Sequence, residues 1–272
     1  MKLKAYAKVN LILKVINKEE NGYHNLQMIN TLINIYDEIE IKPNNLTKDT
    51  LSFKNTHLTS KDDLVLKVLL EFKKMYGIKE CFDIAITKYI PIGAGLGGGS
   101  SDVACIIDYL CETYNIDKDQ KLYSMLSNMG SDILYFLYKG TRYVEGTGNQ
   151  VLDENIKIED EFVIVYPNIC LSTKDVFVNN NKYSKKTDKD ILINIVKNKQ
   201  YNLYINDLEE SAFNVNANLL KIKEELSKVG TVVMSGSGST MMVFGKNIDD
   251  IYRKCLNIYP SFYIKKVKSS VL

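Results

Sequence analysis

The densest glycine run in the chain lies between Pro91 and Ala104, in PIGAGLGGGSSDVA, with Gly93, Gly95, Gly97, Gly98 and Gly99 followed by Ser100 and Ser101. Glycines cluster like this where backbone must approach a partner closely, or bend where a Cβ would clash. An alternating apolar stretch precedes the run, and an amphipathic helical pattern follows it. Strand, glycine loop and helix start together hold a phosphate, because free backbone N–H groups and the positive helix end both point at the anion. Three familiar glycine motifs fit poorly. A Walker A loop needs lysine where Gly99 stands. The dinucleotide fingerprint matches Gly93, Gly95 and Gly98, yet no strand ends in an acid about twenty residues later. A hydrolase elbow needs glycine where Asp102 stands.

Other residues have types suited to chemistry but ordinary alternatives. Lys8 and Asn10, two apart, share the polar face of a strand and point the same way. Tyr23 and His24 follow an Asn-Gly turn, and read alone they are a turn-flanking aromatic and a solvated histidine. Asp132 falls at an expected helix–strand junction, where aspartate usually caps or turns. A second run, Ser235 to Ser239, lies between two apolar strand pieces and can be a plain hairpin loop.

The elements that must position these residues follow from periodicity. Ala7, Val9, Leu11, Leu13 and Val15 form the apolar face of a first strand, and QMINTLINIYDEIEI and TLSFKN continue in strands. From Asp62 a helix with Val65, Val68, Leu69, Phe72 and Tyr76 on one face ends at Gly77. Phe82, Ile84 and Ile86 alternate ahead of the glycine run. Behind it Val103, Ile106, Ile107 and Leu110 keep helical spacing, with Ser100, Ser101 and Asp102 expected as cap and first-turn acid. A helix over 118–128 follows, then ILYFLYKGTRYVEG reads as strand. FVIVYP, TVVMSGSGSTMMVFG and FYIKKVK supply strands of the second half, with a helix through Ile248, Ile251, Tyr252 and Cys255. Strands and helices without strict βαβ alternation indicate an α+β fold.

Composition narrows the function. The chain has 272 residues, 45% apolar and 25% charged, in the range of an ordinary globular protein. A formal net charge of +2 is too small to argue for nucleic acid or an anionic membrane as partner. KYSKKTDK, the one noticeable basic run, reads as a solvated surface stretch. Five cysteines without a CxxC pair, and only two histidines, argue against a disulfide framework and a Cys/His metal site. No stretch is apolar enough to span a membrane and the N-terminal residues lack a signal-like apolar block, so a cytoplasmic location is expected.

The glycine run resembles the phosphate-binding segment of the GHMP kinases, small-molecule kinases named for galactose, homoserine, mevalonate and phosphomevalonate. Its longer form, GLGGGSSDVA, resembles the branch that acts on a cytidine diphosphate-linked methylerythritol. AKVNLIL (7–13), NGYHNL (21–26), GSDILYF (130–136), STKDVF (172–177), NDLE (206–209) and SGSGSTMMVFG (235–245) agree with that branch in order and spacing. Ile133 and Leu134 replace its usual Val-Pro, Asp63 replaces a frequent Asn, and GTGNQ (146–150) replaces a Gly-Gly-Glu run. The resemblance implies an N-terminal ATP-binding domain over 1–154, like the second domain of ribosomal protein S5, and a ferredoxin-like substrate domain over 155–272. It implies Lys8 and Asp132 as catalytic residues, and Asn10, Tyr23 and His24 as substrate-binding residues, with tyrosine stacking on the base and histidine bonding its polar edge. ATP would be held by Pro91, Ile92, Gly93, Ala94, Gly95, Leu96, Gly97, Gly98, Gly99, Ser100 and Ser101. Mg²⁺ would accompany the ATP, Thr173 and Asp207 would serve the substrate domain, and the protein would be a monomer or weak dimer.

Overall fold

A computed structural model of the protein describes residues 1–58, 63–152 and 154–269. Asp62, the expected start of the first helix, lies outside them. The elements run β1 (Lys2–Lys18), β2 (His24–Asn44), β3 (Thr50–Lys54), α1 (Leu64–Tyr76), β4 (Cys81–Thr87), α2 (Gly98–Tyr114), α3 (Gln120–Met129), α4 (Ile133–Tyr138), β5 (Thr141–Gly146) and β6 (Gln150–Val151). They continue with β7 (Glu161–Tyr166), α5 (Thr173–Val178), α6 (Lys189–Lys197), a 3₁₀ turn (Tyr201–Leu203), α7 (Glu209–Val215), α8 (Asn218–Ser227), β8 (Thr231–Met234), β9 (Met241–Phe244), α9 (Ile248–Ile258) and β10 (Tyr263–Lys268). This is the expected α+β mixture.

Two compact units interleave along the chain. One comprises Met1–Ala7, Ile35–Ile90 and Gly97–Tyr138; the other comprises Lys8–Asn34, Pro91–Leu96 and Lys139–Leu272. In the first, β4 pairs antiparallel with the C-terminal half of β2, Ile39 opposite Ile86 and Ile41 opposite Ile84, and parallel with β3. Phe72 of α1, Phe82 of β4 and Ile107 and Leu110 of α2 are buried, so alternation in the strands and three-to-four spacing in the helices supply this core. Asp63 caps α1 by accepting the Val65 N–H at 2.7 Å, and Gly77 ends it in the left-handed conformation.

In the second unit the N-terminal half of β2 pairs antiparallel with β5, and a separate antiparallel sheet runs β10-β7-β9-β8. Phe162 and Phe244 meet at 4.8 Å between centroids, with Tyr201 stacked on Phe244. The β1 residues Leu13 and Val15 are tied to the 205–207 segment: Ile205 O accepts from Leu13 N, and Asp207 Oδ2 from Val15 N at 2.9 Å.

Two local expectations need correcting. Residues 133–138 form a helix rather than the start of a strand, so Asp132 sits in the turn between α3 and α4. ILYFLY is apolar throughout, and a short uninterrupted apolar run does not distinguish buried helix from buried strand. Nor do Ser100 to Asp102 cap α2. The helix begins at Gly98 behind a left-handed Gly97 that makes no side-chain capping bond. Ser101 donates to Tyr6 O at 2.6 Å, and Asp102 bonds Lys88.

Candidate active site

The second unit builds a buried polar cluster around Lys8. Strand alternation points Lys8 and Asn10 the same way, and both are buried, so the polar face of β1 faces protein rather than water. The Lys8 ammonium donates to Asn10 Oδ1 at 2.7 Å, and Asn10 Nδ2 donates to Asn30 Oδ1 at 2.6 Å. Asn10 Nδ2 also approaches Met28 Sδ at 3.4 Å. The Asn10 amide is therefore committed at both ends and fixes the ammonium in place. Lys14, two turns of alternation further along the same face, donates to Lys185 O at 2.6 Å and to Thr187 Oγ1. Its amine is held below the usual lysine range by burial, opposed by Asp207.

The first part of the glycine run is bound into this cluster. Leu96 O accepts from Lys8 N at 3.0 Å, and Ala94 O from Thr240 N at 3.3 Å. Ser235 is the joint between the two glycine-serine runs: its hydroxyl accepts the Asn10 N–H at 3.3 Å and donates to Gly95 O at 3.2 Å. Asn206 steadies the second run by donating to Met234 O and Gly236 O at 2.7 and 2.8 Å. Thr173 and Ser237 share a hydroxyl–hydroxyl bond of 2.9 Å. Ile92 O accepts from Tyr166 OH, and Pro91 is half-buried. The Ser235–Ser239 segment is thus more than a hairpin loop, since it hydrogen-bonds the first run across some 140 residues of chain.

His24 opens β2, buried, with its ring centroid 5.1 Å from Phe177 and 6.4 Å from Tyr183. Its Nε2 has no hydrogen-bond partner among the described residues. Burial, helped by Lys18, lowers its pKa, so the imidazole is neutral at pH 7 and offers one donor and one acceptor. Tyr23 is 65% exposed beside it. The basic run 182–189 is exposed as expected, but its backbone is pinned: Ser184 N donates to Val15 O, and Thr187 N to Gln27 Oε1 at 3.0 Å. That pinning presents Tyr183 to His24. Phe177 and Tyr183 were not recognisable beforehand, because an aromatic some 150 residues away carries no local signal. Asp207, its carboxylate on Val15 N and 3.6 Å from Lys182, holds β1 in place.

The first unit carries the rest of the glycine run, Gly97 to Ser101, as the start of α2. A Cβ on Gly99 would meet no atom within 4 Å, so the N-terminal turn has open space on that side. Asp132 is half-buried just before α4. Among the described residues no group of three or more His, Cys, Asp or Glu is placed to hold a metal ion. No helix among them is long and apolar enough to cross a membrane.

A glycine turn opens a helix in the first unit, a buried ammonium is held in the second, and residues 63–140 match the family described as GHMP kinases N terminal domain, a family of small-molecule kinases. A 4-diphosphocytidyl-2-C-methyl-D-erythritol kinase of Hydrogenobaculum sp. is 38% identical over 91% of this chain and 88% of its own. One from Clostridium tetani is 33% identical over 98% and 99%. A crystal structure of 4-(cytidine 5'-diphospho)-2C-methyl-D-erythritol kinase superposes with a TM-score of 0.83 at 24% identity over 99% of both chains, and a homoserine kinase from Cytophaga hutchinsonii with 0.73 at 15%, covering 100% of this chain and 94% of its own. The chain belongs to the 4-diphosphocytidyl-2-C-methyl-D-erythritol kinase family of the GHMP kinases.

Proposed function

We propose that this protein transfers the γ-phosphoryl group of ATP to the 2-hydroxyl of 4-diphosphocytidyl-2-C-methyl-D-erythritol, giving the 2-phosphate and ADP on the methylerythritol phosphate route to isopentenyl diphosphate. The observation that carries the choice of substrate is the His24 site: a neutral imidazole with an unpartnered, buried Nε2, flanked by Phe177 and Tyr183 and with Tyr23 exposed beside it. A pyrimidine needs a flat aromatic wall and a donor–acceptor edge, and a plain alcohol needs neither.

In this reading the backbone from Pro91 to Ser101 holds the triphosphate, which arrives with Mg²⁺ as MgATP. The acceptor oxygen attacks the γ-phosphorus, the bond to the β,γ-bridging oxygen breaks, ADP leaves, and the hydroxyl proton passes to Asp132. Phosphoryl transfer proceeds through a loose transition state, so Asp132 acts chiefly by orienting the hydroxyl. Lys8, fixed by Asn10, supplies positive charge where negative charge develops. Asn10 then acts through Lys8, as a positioning residue. ATP binding is assigned to the family domain over 1–154, and substrate binding to that over 155–272 together with Tyr23 and His24 of the N-terminal part. No disulfide joins the five cysteines among the described residues, which fits the reducing cytoplasm, and we expect a monomer or weak dimer.

An ADP-release assay is expected to give turnover with the purified cytidine substrate and none with mevalonate; turnover with mevalonate alone would reassign the acceptor. Tyr23→Ala should raise KM for the cytidine substrate about tenfold, within the range of one lost base-stacking contact. An unchanged KM would point to a GHMP kinase with no base to recognise.

A further inference from the structure

Three buried charges meet at the two flanks of the glycine run, all within the first unit. The Lys88 ammonium, one residue past β4, lies 2.5 Å from Asp37 Oδ2 on β2 and 2.6 Å from Asp102 Oδ2 near the start of α2. The side chains are 5%, 0% and 2% exposed. Asp37 Oδ1 accepts the N–H groups of Tyr89 and Ile90 at 2.5 and 2.8 Å, which fixes the backbone just before Pro91. A Cβ on Gly98 would come within 3.5 Å of Lys88 Nζ, so the first residue of α2 rests close to the ammonium. Lys88 thereby ties the strand side of the run to the helix side.

The charges do not balance. Two carboxylates against one ammonium leave a buried excess of one negative charge, and Lys88 and Asp37 are the charged groups facing Asp102. A neutralising proton cannot settle easily on Asp37, whose Oδ1 accepts two backbone N–H groups that stabilise its carboxylate. Asp102 Oδ1 has no partner among the described residues. Burial, only partly offset by Lys88 and reinforced by Asp37, pushes the Asp102 carboxyl up to about 8. Burial also works against the Lys88 ammonium, but the two carboxylates outweigh it and keep the amine charged. A triphosphate arriving at the adjoining helix start adds negative charge, and a proton on Asp102 is the least costly relief.

We infer that Asp37, Lys88 and Asp102 are positioning residues for ATP: they hold the two flanks of the glycine run in register, and Asp102 takes up a proton from solvent as the phosphates bind. This rests on the ATP reading of the run and adds a proton linkage to it. The sign follows from linkage: a ligand that favours the protonated form binds more weakly as pH rises through the free protein's pKa. Affinity for MgATP should be flat below that range and fall above it, approaching tenfold per pH unit at most.

Titration calorimetry of the full chain with MgATP near pH 8, in buffers of different ionisation enthalpy, reads the proton directly. About half a proton should be taken up per ATP, from a group about half protonated beforehand. Asp102→Asn, isosteric and permanently neutral, should abolish the uptake and flatten the alkaline rise in KM for ATP. A purely structural role would instead shift KM or kcat without changing the shape of the pH profile. MgATP binding with no proton exchange in the wild type overturns the inference whatever the turnover, as does an Asp102→Asn profile that still rises. Proton uptake without turnover of the cytidine substrate would support the inference while retiring the proposed acceptor.

Discussion

Lys8→Ala and Asp132→Asn are each expected to lower kcat by about 10² or more, the scale of a removed acid–base or charge-stabilising group. The Lys8 ammonium is buried and held by Asn10 Oδ1 at 2.7 Å, so its charge is preorganised and requires no rearrangement during the reaction. Alanine at this position removes the charge and also leaves Asn10 Oδ1 without its donor, which costs about 1–3 kcal/mol in stability. Activity must therefore be measured on protein shown to be folded by its melting transition. Asp132→Asn keeps the shape but loses the negative charge that orients the hydroxyl and receives its proton. Because Tyr23 and His24 are untouched, both variants should bind the cytidine substrate about as well as wild type in an equilibrium measurement. Near-normal turnover in both would remove the catalytic assignment; loss of substrate binding in both would move these residues from chemistry to recognition.

Gly95→Ala should be the most damaging change to the fold among the glycine-run positions. A Cβ there would sit 2.5 Å from Ser235 O and 2.8 Å from Gly238 O, both backbone atoms. Its φ of +75° is also a conformation that an L-residue adopts at a cost. Overpacking and the left-handed backbone together amount to about 3 kcal/mol or more, a fall of roughly 6–12 °C in Tm for a chain this long. The same change should weaken ATP binding, because the Ser235–Gly95 bond that joins the two glycine-serine runs cannot keep its geometry. Gly99→Ala is the matched comparison: its Cβ meets nothing within 4 Å, and the residue is helical. It should leave Tm unchanged or slightly raised while increasing KM for ATP, since it fills space left for the phosphates. Equal melting temperatures for wild type and Gly95→Ala would show that the second run moves aside.

Sequence pattern carried most of the architecture, and the reasons it stopped are local. Strand β1, helix α1 with its Gly77 stop and helix α2 each follow from apolar spacing over many residues. Residues 133–138 did not, since six consecutive apolar positions fit either period. The capping role expected of Ser100 to Asp102 failed because glycine at 97 already turns the chain, which frees Ser101 for Tyr6 O and Asp102 for Lys88. An acid among the apolar residues of α2 and a lysine just before the run were visible, but nothing local pairs them. Lys8 and Asn10 were legible as a pair from their two-residue spacing. Their burial was not, because it depends on Asn30 and Ser235, brought in from β2 and the β8–β9 connection. Phe177 and Tyr183 reach His24 only through the pinned 182–187 backbone, a purely tertiary effect.

The stitching of residues 8–34 to the C-terminal part of the chain bears on how this enzyme could be re-engineered. Leu13 bonds Ile205, Val15 bonds Asp207 and Ser184, Gln27 bonds Thr187, and Asn10 bonds Ser235. A chimera that took everything after residue 154 from a relative with a different acceptor would inherit these partners from one parent and their counterparts from another. Acceptor swapping therefore calls for a double crossover, in which the 8–34 segment travels with the C-terminal portion and only the intervening stretch stays behind.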